Sequence, residues 1–505
     1  MYFSCSRTSA TAGPSVAATC GCGIWKFVAC ELSGDTLDDG GGAICVVENG
    51  DGCGAVDSLA AASFDGVADI WPGVLLALLS ALITALSFGE LAWRYPEAGF
   101  RSAYHFADRF FARQKNPRYK FFARLGKFAT GWTAHLYYWI YPGVLVAFMG
   151  ILADYLLRYF GYQPTVFGEV ILAVSFSAFV GFLALRGITG TTTTSVTLNT
   201  IQLITLFVFA ILAIAFRLIN PASFSTSEWV YPSVTSVLLP HSFNGVIFQT
   251  VLAMILMVGF ESSTALGASA SNAQRDVPRG AILALVIQGL FAYLVGYFVA
   301  GFALNIQINA TVSPAPLGDL ALQFGELLLG GYGTTLMVFF GFTVAIALLG
   351  GTLTAINNGV RISFAMALDD EMPDVLGFLH PKYATPYNTV ILLSTVCAII
   401  GSAGIIGGLP VLMGIILASN LGAFLLYALL CLLTIVTFVG DSSFNVFRHL
   451  FLPLIGFAVN IGLVVTAGKI GLAAGGIITQ ASMIALGIAA AWFVVSVAFY
   501  FVKHK

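Results

Sequence analysis

From residue 70 onward the chain alternates between apolar runs of about 17 to 30 residues and short polar connections. A helix rising 1.5 Å per residue needs about 20 apolar residues to cross a bilayer, so each run predicts a membrane span. The runs cover about Ile70–Trp93, Phe128–Leu157, Val166–Leu185, Val196–Phe216, Val246–Leu266, Ala281–Leu304, Tyr332–Ile356, Val390–Ile406, Pro410–Phe438, Leu450–Thr466 and Ser482–Val502. An earlier segment, about Thr8–Cys30, is rich in Ala, Gly, Ser and Thr and interrupted by Pro14. It is the candidate first span, the alternative being a leader outside the membrane. With it, the expectation is an all-α polytopic membrane protein of about twelve transmembrane helices.

The polar connections set the orientation. Nine of the 22 Lys and Arg residues fall between Arg94 and Lys127. Arg186, Arg275, Arg279 and Arg361 lie in connections that a regular alternation places on the same side. Cytoplasmic loops gather Lys and Arg, so this face is expected inside, with both termini if the first span is real. The loop with Asp319 and Glu326 has neither cation and is expected outside. From Glu31 to Asp69 there are nine acidic residues and no Lys or Arg, which reads as a solvated, external loop or tail. The chain thus divides into an atypical 1–69, a core of helices over 70–438, and a final helix pair with a short tail over 439–505.

Composition narrows the function. The chain is 58% hydrophobic and 9% charged, where soluble domains average about 25% charged. A net charge of −2 gives no electrostatic footprint for nucleic acid. No Ser/His/Asp order, phosphate-binding glycine loop or paired metal motif occurs, so neither an enzyme nor an ATP-driven pump is indicated, and no cofactor is expected. Six of the eight cysteines precede residue 54, where a disulfide or a metal could use them. Cys20-x-Cys22 lacks the second pair that zinc needs. Cys397 and Cys431 read as buried small hydrophobes.

One apolar run carries a charge. Gly259-Phe260-Glu261-Ser262-Ser263-Thr264 lies within Val246–Leu266. A carboxylate in hydrocarbon costs at least about 2.5 kcal/mol, so Glu261 calls for a partner or a ligand. Gly259 can let the helix open and present backbone groups to a solute. The alternative is a continuous helix in which Glu261 bonds to a neighbour.

Three stretches taken together resemble a known group. Glu90-Leu91-Ala92 with Pro96-Glu97-Ala98-Gly99, then Gly259-Phe260-Glu261-Ser262 running on to Gln274-Arg275-Asp276 and Pro278-Arg279, then Arg361, Ala365, Met366, Ala367, Asp370, Pro373 and Thr385-Pro386 are similar to motifs of the amino acid, polyamine and organocation transporter superfamily. The likeness covers roughly residues 70 to 440. It implies a 5+5 inverted-repeat core, two five-helix repeats of opposite topology, plus two C-terminal helices, with the first and sixth helices unwound at mid-membrane. It also implies that Gly259, Phe260, Glu261 and Ser262 bind the substrate, Phe260 acting as a gate, opposite Gly21, Cys22 and Gly23 of the first helix. The sequence departs from the pattern after Gly267, where Ala268, Ser269, Ser271 and Asn272-Ala273 replace the usual charged residues and Asn-Pro. Phe100-Arg101 reads as a two-residue insertion.

Ion coupling has several candidates and no fixed answer. Asn199 in the fifth span and Thr352 and Thr354 in the eighth offer oxygens that suit sodium, although a threonine in a membrane helix more commonly bonds to a carbonyl one turn back. His135, about 12 Å into the third span, could carry a proton or tie two helices together. Tyr137, Tyr138, Trp139 and Tyr141 beside it read as packing or lumen lining. Glu90 and Glu169 sit near helix ends, within reach of loops or headgroups.

The expected function is a secondary active transporter, a permease for amino acids or related amines working by alternating access, coupled to protons or acting by exchange. The alternative is a nutrient sensor or channel on the same membrane fold. The expected partners are a small amino acid or polyamine, H+ or Na+, and the lipid bilayer, with the cell membrane as the location.

Overall fold

The computed structural model describes residues 70–95, 102–112, 117–162, 165–187, 192–231, 233–240, 242–261, 272–287, 289, 301–308 and 316–503. Gly21, Cys22 and Gly23 lie outside the described residues with the rest of Thr8–Cys30, as do Ser262 and the early cysteines.

Within them the chain is helical almost throughout. The helices are α1 (Ile70–Arg94), α2 (Ser102–Ala112), α3 (Pro117–Tyr138), α4 (Tyr141–Arg158), α5 (Val166–Leu185), α6 (Thr192–Ile219), the short α7 (Val234–Leu238), α8 (Phe243–Met257), α9 (Ala273–Leu285), α10 (Pro316–Leu327), α11 (Gly333–Leu368), α12 (Tyr387–Ile406), α13 (Gly408–Phe438), α14 (Leu452–Ala473) and α15 (Gly476–Lys503). Among the described residues nine helical stretches are long and apolar enough to cross a membrane, α3 and α4 counting as one, and α8 is a shorter apolar helix. Phe167 on α5 and Phe493 on α15 are 74% and 68% exposed. Apolar side chains turned outward in this way fit a hydrocarbon surround, so the fold is that of an all-α, multi-pass membrane protein.

Three of the expected spans have a different shape from their apolar runs. The third is two helices, parted at Trp139–Ile140, with Pro142 in the first turn of α4, where a missing N–H costs no helical bond. The eighth is longer than its apolar part: α11 has 36 residues, about 54 Å at 1.5 Å each, and projects beyond a hydrocarbon core of about 30 Å. The sixth stops early. Ser242 caps the start of α8 by accepting from Gly245 N–H at 3.1 Å, and the helix ends at Met257.

The helices close around α13, which packs against α1, α3, α14 and α15. Two glycines let helices approach closely. A Cβ on Gly73 of α1 would lie 2.6 Å from Gln249 Cβ on α8, and one on Gly422 of α13 would lie 2.8 Å from the Tyr137 backbone nitrogen on α3. Both positions admit only a hydrogen at this spacing.

The two ends of the bundle differ in charge. At one end Arg94 pairs with Asp441 at 2.8 Å, and Lys127 bridges Asp108 at 2.7 Å and Asp369 at 2.9 Å. Tyr104 on α2 donates to the same Asp369 at 2.9 Å, and burial together with that carboxylate pushes its phenol up, so it remains a donor. At the other end Tyr155 of α4 donates to Asp319 of α10 at 2.7 Å. The two ends of the 94–127 connection therefore lie with the ends of α11 and α13 on one face, and Asp319 belongs to the opposite one.

Candidate substrate site at the broken sixth helix

The turn after α8 is where the helical ladder fails. Its last bond runs from Val258 N–H to Met254 O at 3.1 Å. Val258 is extended, with ψ at 146°, and Gly259 follows at φ +115°, a conformation that a side chain would strain. The Gly259 N–H then donates to the carboxylate two residues on, Glu261 Oε2, at 3.0 Å. A helix that breaks between Val258 and Glu261 is what the glycine and the buried acid suggested together.

Glu261 is fully buried, and three donors converge on it. Besides Gly259 N–H, the Tyr138 hydroxyl donates to Oε1 at 2.8 Å and the Tyr427 hydroxyl to Oε2 at 3.0 Å. Such donors offset the desolvation that would otherwise exclude a carboxylate from this depth. Tyr138 comes from the last turn of α3 and Tyr427 from the middle of α13. Their meeting depends on Gly422, one and a half turns before Tyr427, whose missing side chain lets α13 reach the backbone of α3.

Phe260 fills the space beside the acid. It is buried, stands edge-on to Phe88 of α1 with ring centres 5.7 Å apart, and leans on Tyr427 at 5.2 Å. Asn420 of α13 fixes the helix just before the break, donating to Val251 O at 2.7 Å. A cleft lined by Leu256, Val258, Phe260 and Leu285 adjoins the turn and holds about 10 Å³, the room of a single water. Among the described residues the broken turn packs against Phe88, Tyr138 and Tyr427.

The ion-coupling candidates do not form one cluster. Thr352 is buried and its hydroxyl donates back to Leu348 O at 2.6 Å, and Thr354, two positions on, lies on a different face of α11. Asn199 lies on α6, its side chain outside the described residues. His135 is buried between α3 and α11: Nδ1 donates to Gly131 O at 2.7 Å and Nε2 meets Ser363 Oγ at 2.8 Å. Ser363 also accepts from Trp139 Nε1 at 3.2 Å. Ser363 is three turns along α11 from Thr352, about 16 Å, so histidine and threonine do not share a site. Among the described residues no group of three or more His, Cys, Asp and Glu could hold a metal ion. Cys397 and Cys431 are buried and unpaired with each other, as small core residues.

With this geometry in hand, comparison with known proteins is specific. A family model described as amino acid permease matches residues 41–502. The chain belongs to that family. The permease is 24% identical over 403 residues to the low-affinity putrescine importer PlaP of Escherichia coli (strain K12), a match that covers 76% of this chain and 78% of that protein. It is 26% identical over 175 residues to the branched-chain amino acid permease BcaP of Bacillus subtilis (strain 168), across 34% of this chain and 36% of that protein. It is also 25% identical over 171 residues to the vacuolar cationic amino acid transporter 4 of Arabidopsis thaliana, across 34% of this chain and 27% of that protein. The matches to these last two thus span about a third of the one and about a quarter of the other. The chain is accordingly an integral, multi-pass membrane protein of that family.

Sequence reasoning did not find every residue around Glu261. Tyr138 stood out only as one of four aromatics within five residues. Tyr427, Asn420 and Gly422 carried no signal, because an apolar run hides which of its positions faces a residue more than 150 places away.

Proposed function

We propose that the permease carries amino acids or related amines across the cell membrane by alternating access, with the turn Val258–Glu261 as the substrate site. The observation that carries this reading is the break itself. A buried acid beside an interrupted main chain offers an amine both a carboxylate and backbone oxygens, the arrangement by which discontinuous helices hold polar solutes at membrane depth. In this reading the ammonium group of the substrate takes over acceptor positions on Glu261 now used by Tyr138 and Tyr427, and Phe260 swings aside to admit it. Thus Glu261 contributes binding, Phe260 gating, and Gly259 the backbone freedom. Ser262 and the first-helix stretch Gly21, Cys22 and Gly23 complete the proposed site.

The proposal extends to driving force and location. Transport is driven by a proton gradient or by exchange of one amine for another. Both termini lie in the cytoplasm, which the gathering of Arg94, Lys127 and their partners at one end of the bundle supports.

A panel of labelled uptake assays in proteoliposomes tests this. It includes branched-chain and cationic amino acids and putrescine, the compounds named for the relatives, under imposed pH and sodium gradients. The expected result is saturable uptake of at least one of them, lost in Glu261→Gln and in Gly259→Val while both variants remain in the membrane. Undiminished uptake by both variants overturns the site. Binding without uptake would instead mark a sensor.

A further inference from the structure

A second cavity, of about 840 Å³, opens between α1, α9 and the π turn Phe447–Phe451 that leads into α14. Among the described residues it shares no lining residue with the cleft beside Val258. Its volume lies within the range of about 300–1,000 Å³ usual for small-molecule sites. Glu90, four residues from the end of α1 after Leu86 and before Trp93, lines it, so it opens at the end of the bundle where Arg94 pairs with Asp441.

Each long wall is a single helical face. Leu86, Glu90 and Trp93 on α1 recur at i, i+4 and i+7, and Arg275, Arg279 and Ile282 on α9 do the same. Arg448 comes from the π turn and brings a third guanidinium. Among the described lining residues these three cations face one carboxylate, Glu90, and that carboxylate is already engaged. His449 Nε2 lies 3.3 Å from it and Arg448 Nη1 3.8 Å. His449 Nδ1 accepts from Asn445 N–H at 2.9 Å, so the ring proton is on Nε2 and points at Glu90. The formal charge of the described lining is thus positive and comes from guanidinium groups, whose planar forks match phosphate oxygens.

The lining is also two-sided. Leu86 and Trp93 are 41% and 43% exposed, and with Ile282 they give the cavity an apolar flank beside the arginines. A ligand that satisfies both halves has an anionic, strongly accepting head and an apolar body. Basic pockets between transmembrane helices at the membrane surface suit the headgroups of anionic lipids in this way. We propose that the cavity framed by Arg275, Arg279 and Arg448, with Leu86 and Trp93 at its flank, is a binding site for a phosphate-bearing anion, met in the membrane as the headgroup of an anionic phospholipid.

Native mass spectrometry of the detergent-purified full chain tests this without any transport assay, so it stands or falls separately from the substrate site. Phosphatidylglycerol, phosphatidylcholine and inorganic phosphate are the probes. The expected result is retention of phosphatidylglycerol over phosphatidylcholine, weakened about fivefold per arginine in Arg275→Gln and Arg279→Gln, at about 1 kcal/mol for each basic residue near the membrane surface. Arg275→Lys with Arg279→Lys should fall between, keeping the charge and losing the fork. A matching elution profile and melting temperature show that the variants are folded. Displacement of the lipid by millimolar phosphate would support the same chemistry with a soluble source. Equal retention of both lipids by the native chain, or undiminished phosphatidylglycerol binding by the folded double Gln variant, overturns the proposal.

Discussion

The Tyr427 hydroxyl donates to the Glu261 carboxylate across 3.0 Å, although the two residues lie 166 positions apart. With Tyr138 on the other oxygen, a single acid ties α3, α13 and the broken end of α8 together. A carboxylate is costly in hydrocarbon and is retained only where donors compensate it. The donors come from helices whose relative positions must change if the site is to open alternately to the two sides. Under the proposed function, the knot is the point at which substrate binding and helix movement would be exchanged for one another.

Tyr427→Phe tests that knot. It removes one donor and leaves the acid buried, a change that costs about 1–3 kcal/mol. The melting temperature in detergent should fall, and Tyr138→Phe should lower it similarly. The double variant should differ from the sum of the two, because both donors serve one carboxylate. Strictly additive losses would mean that the two tyrosines are not coupled to each other through the carboxylate.

Gly422→Ala tests the approach that makes the knot. The added methyl would sit 2.8 Å from Tyr137 N and 3.1 Å from Leu136 C, both backbone atoms that cannot rotate away. The two helices must part, at about 1–3 kcal/mol for overpacking. Uptake should fall with Tyr138 and Tyr427 both unaltered. Retention of native stability and uptake would show that the contact yields easily.

The membrane spans were legible because lipid demands runs of apolar residues, and the same runs concealed what happens inside them. Gly259 beside Glu261 announced the break, since a flexible backbone and a charge are both out of place there. Trp139–Ile140 did not announce the parting of α3 from α4, because Pro142 fits the first turn of a helix as well as it marks an interruption. Asn420 and Gly422 were invisible for a different reason. Their roles come from helix neighbours chosen by the three-dimensional packing, which periodicity within an almost uniformly apolar helix does not encode.

His135→Phe separates a helix tie from a proton carrier. Both ring nitrogens are engaged, one by Gly131 O and one by Ser363 Oγ, and the latter also receives Trp139. The replacement keeps the ring volume and removes the link from α3 to α11. The expected outcome is a loss of about 1–3 kcal/mol in stability with the pH profile of uptake unchanged. A flattened pH profile would instead make His135 the coupling site.

Lys127→Met probes the latch at the basic end. Lys127 Nζ lies between Asp108 at 2.7 Å and Asp369 at 2.9 Å, with the side chains 16%, 27% and 24% exposed. It also stands 5.1 Å from the centre of the Tyr104 ring, so the foot of α3, α2 and the end of α11 meet at one ammonium. Without it two carboxylates face each other uncompensated, and partial exposure limits the loss to about 1–2 kcal/mol. Asp369→Asn in the same chain removes one of the two negative charges and should restore part of that stability, because Tyr104 can still donate to the amide oxygen. Thermal unfolding of the native chain, both single variants and the double variant gives the coupling directly. A double variant less stable than Lys127→Met would show that Asp369 supports the fold through contacts other than the lysine.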